Sequence, residues 1–306
     1  MQVVEDNVKS ASKIQSLTCA EIGLLMSSYV FGSNTLQMTS NLIYLGTLLL
    51  FDLYEHQLID LYFRLDDTSI SLKSTSPAMF PLLEKLNHRE LALSLSIVPL
   101  VKKAPKSLPD VHQNVYKELL KMSCLFDEPS PILCHDFLVC CKTQMFLNMQ
   151  MNEARAWLIV ELAEKNLITY ERKFLIFFDY FLTESGQEYS TYLADQLSQQ
   201  LQGGYMKKTS DFPKFDCETN QRNTYVVSQL LINTQYSNLK KCAKVTNVTY
   251  DRAKQRQIAI GDQIGALLRK PELKLQPENQ ESWFVAMVTA MGLCMEEAMS
   301  TVAAYM

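Results

Sequence analysis

The segment Cys134-His135-Asp136-Phe137-Leu138-Val139-Cys140-Cys141 gathers three thiols, an imidazole and a carboxylate within eight residues, side-chain types that ligate zinc. On a helix turning by about 100° per residue, Cys134 and Cys141 face one way, Cys140 points roughly 100° from them, and His135 points elsewhere again. The ligands diverge. A tetrahedral site would need partners from other helices, so the plainer reading is ordinary buried thiols and no metal.

Other chemistry is equally sparse. His56, His88 and His112 fall on separate predicted helices and form no HExxH pair, so none is assigned a catalytic role. Neither a GxSxG elbow, a P-loop nor a GxGxxG occurs, and nine glycines are few for a phosphate cradle of another sort. The carboxylates of Asp66-Asp67 and Glu296-Glu297 are adjacent in sequence and splay apart instead of converging on a shared proton. The expectation is a non-enzymatic protein with no cofactor; an enzyme whose site is assembled from distant residues is the third of three readings.

Charge carries more information. The 306 residues hold 29 basic and 33 acidic side chains, a formal charge of −4 that excludes a polycation of the histone kind. Counted by segment, residues 1–100 carry −4, 101–204 carry −3, 205–275 carry +7 and 276–306 carry −4. No acidic residue stands between Glu218 and Asp251. Projected as one helix from Gln221 to Lys244, this stretch places Arg222, Tyr225, Gln229, Asn233, Tyr236, Lys240 and Lys244 on one arc, spaced 3, 4, 4, 3, 4 and 4 apart. A second predicted helix, Tyr250 to Lys270, sets Arg252, Arg256 and Lys270 on a face opposite Ile260, Ile264 and Leu267. Cations neutralise phosphates, rings stack on unpaired bases and amides bond to sugar or base edges, so the mixture suits the backbone of single-stranded nucleic acid. The bland counterpart is a solvated helix face with tyrosines at its boundary.

The last predicted helix, Gln280 to Ala304, carries Trp283, Met287, Met291, Met295 and Met299 at intervals of four. Such a ridge packs against another helix, either within its own core or, exchanged between copies, as a means of oligomerisation.

Positioning these residues falls to helices. Nine Gly and ten Pro are too few for a many-stranded β fold, while 47% apolar residues supply a large core. Period-3.6 patterns and caps predict about ten helices, among them Thr18-Cys19-Ala20-Glu21 as a capping box, Asn41 to Arg64, His88 to Val98, Pro131 to Met149, Asn152 to Asn166 and Thr169 to Glu184. The expected class is all-α, an irregular bundle or array in two lobes without significant β-sheet. Its divisions are a flexible arm (1–16), an N-lobe (17–204), a basic C-lobe (205–275) and the Met-rich helix (276–306), with a boundary at Gly203-Gly204. The polar N-terminus lacks a secretory signal and the run Leu42 to Phe51 is too short to span a bilayer. Eight cysteines without a CxxC pair fit reduced thiols, and the expected location is intracellular, cytoplasmic or nuclear, or a virion if viral. The sequence reading is therefore a homo-oligomer that binds single-stranded RNA, similar in organisation to viral nucleoprotein and coat subunits, with a helical protein-binding scaffold as the alternative and protein partners at the C-terminal helix.

Overall fold

The computed structural model describes residues 16–31, 42–65, 68–71, 90, 93–106, 108–123, 130–174, 177–202, 215, 217–233, 236–256, 258 and 280–305. The elements are α1 (Cys19–Phe31), α2 (Leu42–Glu55), β1 (Ile59–Leu65), β2 (Thr68–Ser71), β3 (Leu95–Pro99), α3 (Asp110–Ser123), β4 (Ile132–Leu133) and α4 (Cys134–Thr143), then α5 (Met145–Glu164), β5 (Ile168–Phe174), β6 (Phe177–Leu182), α6 (Glu184–Leu201), α7 (Glu218–Asn233), α8 (Tyr236–Val245), α9 (250–256) and α10 (Gln280–Tyr305).

The protein is mostly helical, as the periodicity predicts, but it also carries short strands where helices were expected. Antiparallel strands run in the order β2-β1-β3-β4, and β5 with β6 forms a separate hairpin. The predicted helix to Arg64 ends at Glu55 because Gln57 takes a left-handed φ of 57° and the amide of Leu58 bonds back to the Leu53 carbonyl at 3.0 Å. The predicted helix from Thr169 is a hairpin for the same reason: Asn166 has φ 56° and Leu167 N donates to Leu162 O at 3.0 Å. Both are Schellman closures, which reverse the chain and release it as a strand. The β-branched and aromatic residues that follow, Ile168-Thr169-Tyr170 and Phe177-Phe178, then favour pairing. Likewise the expected helix His88 to Val98 ends in β3, which pairs Leu61 of β1 with Ile97.

Gly186 locks the second junction. An added Cβ would stand 1.9 Å from the Leu167 carbonyl oxygen, so only glycine lets the first turn of α6 lie on the closing turn of α5. Thr183 caps α6 by accepting from Gly186 N at 3.1 Å.

One hydrophobic cluster runs from Leu17 to Val302 and includes Leu24, Leu48, Phe137, Leu158, Leu197, Val227 and Met295. The two expected lobes therefore share a core. The boundary at Gly203-Gly204 and most of the expected N-terminal arm lie outside the described residues, but Leu17 at the end of that arm is buried. Among the described residues no helix is long and apolar enough to cross a membrane.

Candidate nucleic-acid interface

Helix α7 was expected to present an outward polar face. It is instead central, packed by α1, α6, α8 and α10. Val226, Val227, Leu230, Leu231 and Ile232 are buried, and so are the polar Asn220, Asn223, Thr224, Ser228 and Gln229. Their polar groups find partners inside the chain. Asn220 Oδ1 accepts from Leu17 N at 2.9 Å, Asn223 Nδ2 donates to Leu17 O at 2.7 Å, and Gln229 Nε2 donates to Gln200 Oε1 at 3.1 Å. Buried amides spaced along a helix look, in sequence, like a wet face; here they fasten the chain before α1 and the body of α6 to α7.

The single helix projected from Gln221 to Lys244 is two, α7 ending at Asn233 and α8 starting at Tyr236, so the predicted arc does not continue across them. Arg222 is exposed and paired with Glu55 at 2.8 Å. Tyr225 is half-buried against the core. Gln229, 1% exposed, is excluded from any surface. Asn233 and Tyr236 have helical backbones, but their side chains fall outside the described set, as Lys270 does entirely.

What remains together is a corner of cations. Lys240, Lys241 and Lys244 are exposed on α8; Arg252 and Lys254 are exposed on α9, and Arg256 is half-buried there. The two helices meet at a third Schellman turn, with Asn247 at φ 55° and Val248 N bonded to Ala243 O at 3.0 Å. Leu239, Cys242, Ala243, Val248 and Ala253 bury the inner side, which holds the lysines outward. Arg252 reaches the Gln202 carbonyl at 3.5 Å, and Asp251 is the nearest acidic neighbour in sequence. A rigid cationic corner of this sort attracts polyanions.

The methionine ridge divides similarly. Met291 and Met295 are fully buried in the chain's own core and Met299 packs against it, the intramolecular alternative; Trp283 and Met287 lie on α10 with side chains outside the described set.

Sequence reasoning missed a charged cluster at the start of α1. The expected capping box forms, with Thr18 N donating to Glu21 Oε2 at 2.9 Å and Glu21 N to Thr18 Oγ1 at 3.2 Å. Glu21 is fully buried, and Lys165 pairs with it from the end of α5. Beside it, Asp52 accepts from Cys19 N at 2.7 Å and Ala20 N at 3.2 Å, and from His112 Nε2 at 3.1 Å. His112 is completely buried and His56 meets its ring edge-on at 6.0 Å. Burial alone would lower the His112 pKa, but the hydrogen bond and charge of Asp52 outweigh it, so the ring takes up a proton more readily than usual. Cys19 contacts the same carboxylate, and its thiol is pushed up by burial and by Asp52. A buried, protonated thiol is no nucleophile, and the histidine serves the carboxylate. The available signal was Asp52 itself, a carboxylate in the apolar run Leu42–Leu53.

No protein-family model matches the chain, and no curated protein matches it in sequence.

Proposed function

We propose that the protein binds the backbone of single-stranded nucleic acid, RNA in particular, without reading its sequence, through Lys240, Lys244, Arg252 and their neighbours. The observation that carries the reading is the exposed cationic corner of α8 and α9, held rigid by the Asn247 turn and an apolar underside. Phosphate neutralisation by Lys and Arg needs no pocket, and it releases counterions, so binding weakens with salt. Amide readout by Gln229 is no part of the proposal, because that side chain is bonded to Gln200.

The test is a labelled single-stranded oligoribonucleotide titrated at several salt concentrations. Wild-type binding should fall steeply with salt, and Lys240→Glu with Lys244→Glu and Arg252→Glu should remove it while the far-ultraviolet circular dichroism stays unchanged. Undiminished retention of the RNA by the triple variant would sink the proposal.

A second reading, a protein-binding scaffold, draws on a different surface. Met145, Met149 and Trp157 are 72%, 49% and 44% exposed on one face of α5. On that reading Trp157→Glu abolishes complex formation and leaves RNA binding at the distant cations unaltered.

A further inference from the structure

Among the described residues, no three His, Cys, Asp or Glu side chains converge as metal ligands. Sulfur does converge, where α10 crosses the start of α4. Cys134 is the first residue of α4, and its Sγ lies 3.6 Å from Met291 Sδ. The thiol of Cys294 is hydrogen-bonded to Cys134. Met291 and Cys294 are three residues apart on α10 and share a face. All three side chains are fully buried. The diverging ligands of the Cys134–Cys141 segment thus acquire sulfur partners from a helix more than a hundred residues away.

We propose that Cys134, Cys294 and Met291 form a binding site for copper(I), held by two thiolates and one thioether. Soft sulfur donors select this ion. At metal–sulfur bonds of about 2.3 Å the donors of a planar three-coordinate site stand about 4 Å apart. The Cys134–Met291 separation of 3.6 Å needs only a small expansion to reach that spacing. Zinc fits less well, since it takes four ligands and prefers nitrogen, carboxylate oxygen or thiolate to thioether. Calcium and magnesium want oxygen, which the trio lacks.

The charge balance is simple. Each thiol gives up its proton to solvent as one copper(I) enters; no electron moves, and the trio passes from neutral to −1. The N-terminal position of Cys134 helps, because the dipole of α4 favours negative charge at its first residue. In the absence of the ion the Cys294 thiol is held protonated by its hydrogen bond to Cys134, by burial, and by Asp136 and Glu297. Proton release therefore accompanies binding. His135, half-buried beside the trio and bonded to Thr301 at 3.0 Å, marks the side of the α4–α10 seam nearest water. The proposal is independent of the nucleic-acid reading.

The experiment uses the full chain, reduced and under nitrogen, with copper(I) supplied as its acetonitrile complex and bicinchoninate as competing chelator. Wild type should retain one copper per chain, and X-ray absorption should show sulfur neighbours alone, three of them. Cys134→Ser or Cys294→Ser should release the copper, and Met291→Leu, which keeps the core volume, should weaken retention by about tenfold or more. Cys140→Ser, on the half-buried side of α4, should change nothing. Loss of copper from wild type to the chelator overturns the proposal and leaves the trio as core packing. Undiminished retention by folded Cys134→Ser and Cys294→Ser, or by Met291→Leu, overturns it too. Should the serine variants fail to fold, the wild-type absorption spectrum and Met291→Leu decide alone.

Discussion

Two groups of charges in this protein have opposite fates. At the start of α1, Asp52, His112, Glu21 and Lys165 are drawn together with almost no water contact on three of the four; at the α8–α9 corner, Lys240, Lys244 and Arg252 stand in solvent. The first group closes hydrogen bonds that an apolar core would otherwise leave open, including two amides of the first turn of α1. The second spends nothing on desolvation and keeps its charge for an outside partner. A charge is thus structural or available according to whether its helix neighbours are apolar on every side, as around Asp52, or on one side only, as around Lys240.

Asp52 should give the largest effect. Asp52→Ala leaves Cys19 N, Ala20 N and the His112 ring without their acceptor, and breaking a buried pair of this kind costs about 3–5 kcal/mol. Urea denaturation followed by circular dichroism measures it. A loss under about 1 kcal/mol, the range of exposed pairs, would erase the distinction between the two regions.

Lys165→Met comes next. It keeps the aliphatic stem and removes the partner of the fully buried Glu21, which also faces Glu161. Because Lys165 is itself 30% exposed, water makes up part of the loss, and an effect of about 1–3 kcal/mol is expected. Glu21→Gln in the same background should restore some stability, since it removes the orphaned charge.

Acidity separates the two histidines. The raised pKa of His112 means that its contribution to stability is complete below the unfolded value of about 6.5 and is lost as pH rises through the folded value. His56 is lowered by burial and by the neighbouring His112, so its effect has the opposite sense: stability falls as pH drops below about 6.5, where the unfolded chain takes the proton first. Glu296, pushed up to about 7 by burial, acts like His112, and its contribution drains away between roughly pH 4.5 and 7. Urea midpoints measured across pH should show His112→Gln flattening the alkaline limb and His56→Gln the acid limb. Equal limbs in His112→Gln and wild type would mean that Asp52 holds its two amides without help from the ring.

The helical class, the capping box at Thr18 and the extent of α10 were legible in the sequence because each depends on local periodicity or on a four-residue pattern. The strands were not. Thr169 to Glu184 reads as helix because Phe177, Phe178, Tyr180, Phe181 and Leu182 satisfy both periods, and the left-handed Asn166 that decides between them leaves no periodic trace. The basic face failed halfway for a related reason. Asn220, Asn223 and Gln229 are polar, yet their partners Leu17 and Gln200 come from distant segments, and no local pattern announces such contacts. Lys240 and Lys244 needed no partner to be read correctly as exposed.

The smallest stability effect belongs to Lys240, and there the comparison is sharpest. The side chain stands in water on the outer side of α8, so Lys240→Ala should move the unfolding free energy by no more than about 0.5 kcal/mol, far below Asp52→Ala. The same substitution should lower the slope of log affinity for RNA against log salt by about one, because one phosphate contact and its released counterion disappear. Asp52→Asn, studied where it remains folded, should do the reverse, reducing stability with the salt slope intact. If Lys240→Ala left the slope unchanged while a buried-cluster variant altered it, the exposed corner would not be where phosphate is met.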